Sequence, residues 1–243
     1  MALLQHPNVL SQFMTLIALT PLQTRIINVA TRQQANSMLW FSIRRGRITA
    51  RNFHIAINQA KKTTAKISNI FLTSLVKSKD ISNQPAVRYG IDNEAQAKVE
   101  YEEKEGVKVY KCGIFISQCG MLGASPYGIV SKEGIIEIKC PYKLKDSTEL
   151  NDLTRMPYIK KVDEGVFRLV KTHKCYDQIQ GNIYMSKRKW CDLVIWSNKL
   201  FYVIRVERET SWGLNIGLLQ HFYLDRVLPT LIQYYNGYEV QES

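Results

Sequence analysis

With 243 residues, 45% of them hydrophobic and 22% charged, the chain is long enough to bury a real core. Those proportions are ordinary for a globular domain and exclude collagen, a disulfide scaffold and wholesale disorder. The formal charge of +12 is lopsided: eleven Lys and Arg but no Asp or Glu precede Asp80, and the remainder carries 22 bases against 21 acids. A one-sided positive field attracts polyanions, nucleic acid above all. The competing readings are a solvated basic face and an Arg-rich mitochondrial presequence. The acid-free stretch is long for a presequence and carries Trp40 within a helical pattern, so it is read as folded protein.

The N-terminal third reads as helical. Thr20 followed by Pro21 starts a helix, because the hydroxyl caps free N–H groups and proline has no N–H to waste. That helix runs through Ile26, Ile27 and Ala30. Further helices are predicted over residues 37–45, after Thr49 and over 66–76; residues 83–85 break the pattern. The apolar run from Phe13 to Leu22 is too short to span a membrane, contains Pro21 and lacks a preceding basic flank.

Helix returns over 87–103, where Ala95, Ala97 and Val99 sit among charges. After Gly106 the period shortens. Val107, Val109 and residues 113–116, 122–130 and 134–140 are short β-type runs parted by Gly, Ser-Pro and Lys-Glu-Gly turns. A polar connector covers 143–163. A helix over 176–186, strands over 190–196 and 201–206 and a closing helix over 212–234 complete the chain. The fold class is α/β (α+β), a small mixed β-sheet flanked by helices. The five cysteines, Cys112, Cys119, Cys140, Cys175 and Cys191, form no C-x-x-C pair, and the histidines are scattered. They are read as free thiols in a reducing compartment rather than zinc ligands.

The chemistry centres on Gly134-Ile-Ile-Glu-Ile-Lys-Cys140. Alternation along a strand sends Ile136 and Ile138 one way and Glu137 and Lys139 the other. A carboxylate with a lysine two residues on suits metal-assisted phosphodiester hydrolysis: the carboxylate holds a divalent cation and the ammonium positions water. An ordinary Glu–Lys pair on an exposed strand reads the same way, so the surroundings must decide.

Those surroundings are Leu122-Gly-Ala-Ser-Pro-Tyr-Gly-Ile-Val130 upstream and Cys140-Pro141-Tyr142 downstream. Together they resemble the YqaJ-type viral recombinase family, relatives of lambda exonuclease in the PD-(D/E)XK nuclease superfamily, which reads L-G-A-S-P-D-G, a gap, then E-I-K-C-P. Thr31-Arg32-Gln33, Trp40 through Arg44, Arg45 and Arg47-Ile48-Thr49-Ala50, and Gly90 with Glu94 are similar to further family motifs. So are Tyr176-Asp177-Gln178-Ile179-Gln180-Gly181 and Cys191-Asp192-Leu193-Val194-Ile195-Trp196. The resemblance runs in order from about Thr31 to Leu228.

The resemblance implies a restriction-endonuclease-like core and assigns roles by position. Glu94 becomes the helix-borne acid near the metals, and Glu137 a direct ligand helped by the backbone carbonyl of Ile138. Lys139 activates water and Gln180 supports the site. Arg44 grips a terminal phosphate, with Arg45, Arg47 and Arg51 completing a nucleic-acid-binding set. The implied cofactor is Mg²⁺ or Mn²⁺, and the implied partner is DNA at duplex ends, with no membrane. The family includes homo-oligomers, although no feature of this sequence demands one. The expected organisation is a helical extension over 1–30, the family domain over 31–235 and a tail over 236–243. The expected location is intracellular and nuclear, with the mitochondrion as the alternative.

Two positions depart from the pattern. Tyr127 stands where the family has a metal-binding Asp, and a neutral phenol is a poor ligand for a hard cation. Arg51 replaces a serine thought to hold phosphate, a change that keeps or strengthens anion binding. The readings that follow are a metal-dependent DNA exonuclease or its degraded descendant, and a non-catalytic DNA-end-binding module. A third is an interaction domain for an acidic protein.

Overall fold

Two helices open the chain, α1 (Pro7–Ile17) and α2 (Pro21–Ala30). The Thr20 hydroxyl accepts from the Gln23 amide while the Gln23 side chain accepts from the Thr20 amide, a capping box completed by Pro21. Next come α3 (Met38–Arg44), β1 (Ile48–Thr49), α4 (Phe53–Ala60), α5 (Asn69–Val76) and the long α6 (Pro85–Glu105), which stops at left-handed Gly106. Short strands β2 (Phe115–Ile116), β3 (Leu122–Ala124) and β4 (Gly128–Ile129) precede β5 (Gly134–Lys139). Then follow β6 (Ile159–Asp163), β7 (Val166–Leu169), α7 (Lys174–Ser186), β8 (Trp190–Ser197) and β9 (Leu200–Glu207). The chain closes with α8 (Leu214–Phe222) and α9 (Leu228–Glu239), joined through one π-helical turn.

The structure is a computed structural model and describes residues 7–62, 66–77 and 83–239. Lys79, Asp80 and the end of the tail, 240–243, lie outside the described residues. No single helix among those described is long and apolar enough to cross a membrane.

The chain forms two units. One comprises Met1–Ser78, Gly113–Ser125 and Thr210–Ser243; the other comprises Lys79–Cys112 and Pro126–Glu209. The first holds a three-stranded sheet in the order β1-β3-β2, with β1 parallel and β2 antiparallel to β3. α2 packs on β2, so the segment read as an N-terminal extension contributes to this unit. Gly113 is required here: a Cβ would lie 2.2 Å from both the Asn28 carbonyl oxygen and the Thr31 hydroxyl.

The second unit is built on a four-stranded sheet in the order β4-β5-β8-β9, in which β5 and β8 are parallel and both outer pairings antiparallel. Ile136 and Ile138 pack with Val194 and Trp196 against Ala97 and Tyr101 of α6, as strand alternation requires. Gly134 lies beside Trp190 in the ladder, and a Cβ there would fall 2.1 Å from the indole.

The structure corrects three expectations. Residues 122–130 are not one run: β3 and β4 belong to different sheets, parted by Pro126, which has no N–H for a ladder. Val107 and Val109 form no strand; the nearest pairing is a single bridge, Tyr110 to Ile129. The polar connector over 143–163 ends in β6, whose burial shows only Ile159 covered, so no apolar alternation announced it.

Candidate active site

β5 sits between β4 and β8, and this central place buries Glu137 to 9% exposure. A buried carboxylate needs partners. Gln178 Nε2 donates to its Oε1 at 2.7 Å and Asn182 Nδ2 to its Oε2 at 3.3 Å. These amides stand four residues apart on α7 and so share one helix face. Lys139 Nζ lies 3.6 Å from Glu137 Oε1. Burial pulls the Lys139 pKa down, but the Glu137 carboxylate outweighs it and holds the ammonium above its ordinary value.

Glu94 reaches this group from α6. Gly90, Glu94, Ala97 and Tyr101 fall on one stripe of that helix, and small Gly90 and Ala97 allow close approach to the sheet: a Cβ on Gly90 would lie 3.9 Å from the Cys140 carbonyl oxygen. Burial, then the neighbouring Glu137 charge, push the Glu94 pKa up to about 7, with Lys139 opposing. Two carboxyls and an ammonium are thus in electrostatic contact. Ile138 lies between Glu137 and Lys139 in the ladder, opposite Val194.

Tyr127 precedes β4. The register pairs Gly128 with Ile136, and Tyr127 lies one residue before this ladder begins. Its ring packs on the sheet–α6 core and its hydroxyl donates to the Glu94 carbonyl oxygen at 3.3 Å. Burial, then Glu94, push the phenol up to about 12, so it is neutral at physiological pH. The group that meets Glu94 from the start of β4 is therefore an uncharged ring. Among the described residues no three His, Cys, Asp or Glu gather as a metal site. The donors present do not fit a two-metal centre.

The raised Glu94 pKa has a measurable consequence. A folded-state value of about 7 against 4.5 for the ordinary carboxyl means the folded chain holds this proton more tightly. Its stabilising contribution is complete below the unfolded value and is lost as pH rises through 7. In a chelator, thermal unfolding from pH 4.5 to 8 is expected to show this loss, at most roughly 3 kcal/mol. Glu94→Gln is expected to remove the dependence and be the more stable protein at pH 8.

Gln180 takes a different place from the one its motif suggested. Its Nε2 donates to the Glu207 carbonyl at 2.8 Å and its Oε1 accepts from the Glu209 amide at 3.1 Å. Two residues along a helix turn a side chain through about 200°, so Gln178 and Asn182 meet Glu137 while Gln180 faces β9. Sequence reading missed Asn182; its spacing of four from Gln178 was the available signal.

The arginines belong to the first unit. The Arg44 guanidinium lies 4.0 Å over the Trp40 ring, and the indole N–H donates to Ser125 Oγ at 3.0 Å. Burial, then Arg51, lower the Arg44 pKa to about 10, which leaves it cationic. Arg45 and Arg51 are exposed. Arg47 is occupied: its Nε donates to the Gly120 carbonyl at 2.7 Å and a terminal nitrogen to the Ile43 carbonyl at 2.6 Å. None of the four is ion-paired with a carboxylate among the described residues.

Residues 39–183, more than half the chain, match the YqaJ-like viral recombinase domain. The chain belongs to that family. The match spans Arg44, Glu94, Tyr127, Glu137 and Lys139 together. The alkaline nuclease of Orgyia pseudotsugata multicapsid polyhedrosis virus is 27% identical over 213 residues, covering 77% of this chain and 44% of that protein. That of Autographa californica nuclear polyhedrosis virus is 26% identical over 203 residues, 76% of this chain and 47% of that protein. The YqaJ-type chain thus spans about half the length of the curated relatives it matches. Its fold is that of the Laribacter hongkongensis alkaline exonuclease, with a TM-score of 0.59, 21% identity and coverage of 85% of this chain and 100% of that one.

Proposed function

We propose that this chain is a DNA-binding member of the YqaJ-type family that acts at duplex ends and whose metal-dependent deoxyribonuclease site is crippled at one ligand. The observation that carries the proposal is Tyr127, a neutral ring just before β4 whose hydroxyl meets Glu94. Glu137 and Lys139 retain the pairing that metal-assisted hydrolysis uses, which favours weak residual cleavage over none. Mg²⁺ or Mn²⁺ is the cation such oxygen ligands would take.

Binding rests on different residues. Arg44 is cationic, partly buried and beside a second cation, Arg51. Two like charges held together without a carboxylate form a site for a phosphate, which would relieve their repulsion. Binding to DNA suits the proposal further, since one of the solved relatives of the same fold is an exonuclease in complex with dAMP and another is a SOX–DNA complex, at TM-score 0.56.

The test is anisotropy of a labelled, 5′-phosphorylated linear duplex titrated in chelator at several salt concentrations. Tight binding is expected, with affinity falling steeply with salt through counterion release. Arg44→Ala with Arg51→Ala is expected to weaken binding and flatten the salt slope by about 0.9 for each phosphate no longer neutralised. Binding unchanged by the double replacement would remove this pair from the interface; no binding at low salt would sink the proposal. In Mg²⁺, the natural chain is expected to leave the duplex largely intact while Tyr127→Asp shortens it.

A further inference from the structure

A basic cluster stands at the end of the four-stranded sheet where β5 and β8 begin. The β4–β5 turn supplies Lys132, the turn from α7 into β8 supplies Lys187, Arg188 and Lys189, and Arg208 follows the end of β9. Hydrogen bonds to the backbone draw these five together. A terminal nitrogen of Arg188 donates to the Lys132 carbonyl at 3.0 Å. The Lys189 amide donates to the Glu133 carbonyl at 2.7 Å, and the Arg208 amide to the Lys189 carbonyl at 2.7 Å. All of the five but Arg188 are exposed.

The acids nearby do not neutralise the cluster. Glu133 forms an ion pair with Lys189. Glu209 is taken by Lys171 and the Tyr176 hydroxyl. Glu207 precedes Arg208, so alternation along β9 turns its carboxylate to the opposite face, where it supports the charge of Arg205. Lys132, Lys187, Arg188 and Arg208 have no carboxylate at ion-pairing distance among the described residues.

Helix chemistry accounts for part of this arrangement. The carboxyl end of α7 carries partial negative charge, which favours cations close by. It does not account for Lys132 and Arg208, which lie on a turn and a strand end, nor for the conformation of Lys187. Lys187 closes α7 at a φ of 57°, in the left-handed region that glycine enters without steric cost. A lysine kept there points to a use for its charge. Arg208 is held in place as well. Its guanidinium lies 4.1 Å over the Tyr184 ring, whose hydroxyl donates to the Glu209 carbonyl at 2.8 Å. A guanidinium laid on a fixed ring keeps its N–H edge for an outside acceptor.

We infer that this cluster is a second nucleic-acid contact, which takes the phosphate backbone of DNA. The inference rests on the reading of the chain as DNA-binding and adds a surface in the second unit to Arg44 and Arg51 of the first. A polyanion suits it better than a single anion, because the cations form a row. Neighbouring strands lie about 4.8 Å apart, so the line from the start of β5 across Lys189 to Arg208 is about 10 Å long. Over that length one DNA strand presents a charge about every 3.4 Å. Contacts of this kind position a duplex and read no sequence.

The test is acetylation footprinting of the full chain in chelator, with and without linear, 5′-phosphorylated duplex DNA. DNA is expected to slow acetylation of Lys132 and Lys187 severalfold while exposed Lys160 of β6 reacts as before. Lys132→Gln with Lys187→Gln and Arg208→Gln is expected to weaken binding about tenfold and flatten the salt slope by about 0.9 for each phosphate no longer neutralised. These side chains are exposed, so the triple variant is expected to melt with the natural chain. Lys160→Gln with Lys161→Gln and Arg168→Gln removes the same charge from the β6–β7 hairpin and is expected to bind like the natural chain. Equal losses in the two triple variants would reduce the cluster to net charge and overturn the inference. Binding that leaves Lys132 and Lys187 fully reactive would overturn it too, with the reading of Arg44 and Arg51 left standing. No binding by the natural chain would remove both. Poly-glutamate that shields these lysines better than DNA of equal charge would reassign the cluster to an acidic protein and overturn the inference.

Discussion

Replacing Tyr127 by aspartate is expected to raise Mg²⁺- or Mn²⁺-dependent digestion of linear, 5′-phosphorylated duplex DNA by about a hundredfold or more. That is the scale on which one directed electrostatic interaction at a reacting centre acts. The substitution places a carboxylate near Glu94 and removes a ring packed against the α6 side of the sheet. Without metal the change is unfavourable: the core is deprived of an aromatic ring, the Glu94 carbonyl loses the Tyr127 hydroxyl, and a third acid joins Glu94 and Glu137. The variant should therefore melt below the natural chain in chelator and regain stability as Mn²⁺ is added, because an ion that binds only the folded state stabilises by mass action. A natural chain that digests DNA as fast as the variant would show that Tyr127 does not limit the site. If neither protein cuts but the variant gains stability with Mn²⁺, the defect extends beyond this one ligand.

A second large effect is expected where β8, β9 and α6 meet. Asp192 is fully buried and accepts two bonds of 2.8 Å from Arg205, together with one of 2.7 Å from the Tyr101 hydroxyl. Arg205 also stacks on Trp190 at 3.9 Å. Arg205→Met leaves the carboxylate buried without its counter-charge; the Arg205 side chain is 51% exposed, so the cost lies at about 3 kcal/mol, the low end for a buried pair. A drop in Tm of about 10 °C is expected. Arg205→Met with Asp192→Leu is expected to recover more than half of that loss, because a buried ion pair often exchanges for apolar residues at little cost. The surviving deficit is the Tyr101 hydroxyl left without its acceptor, about 1 kcal/mol. A double variant as unstable as the single one would show that the network is held by geometry rather than charge.

Much of the site was legible in the sequence because it depends on local periodicity. The alternation of Ile136 and Ile138 with Glu137 and Lys139 follows from the strand pleat, and the structure gives β5 the central place that makes the alternation matter. The Thr20–Pro21 helix start follows from capping chemistry and is found as a capping box. That residue 127 is a tyrosine, where the resemblance leads one to expect an acid, required no coordinates to notice. Side-chain direction on α7 was less accessible. Gln178, Gln180 and Asn182 are equivalent as residue types, and only the rotation of the helix against the sheet sends two amides to Glu137 and one to Glu207 and Glu209.

The arginines divide along the same line. Sequence grouped Arg44, Arg45, Arg47 and Arg51 as charges in an acid-free stretch, with Arg44 set apart by the resemblance as the grip on a terminal phosphate and Arg51 as a departure from the family serine. Packing then commits Arg47 to two backbone carbonyls and lays Arg44 across Trp40 beside Arg51. Short strands were also out of reach: β1 has two residues and β4 two, too few for any period, and they exist only because long-range partners supply the ladder. By itself the sequence determined the fold class, the family and the identity of the acids and bases, since these reside in residue types and spacings of a few positions. Tertiary structure alone decided which polar atoms meet and which charges gain a partner, because those depend on the packing of residues tens of positions apart.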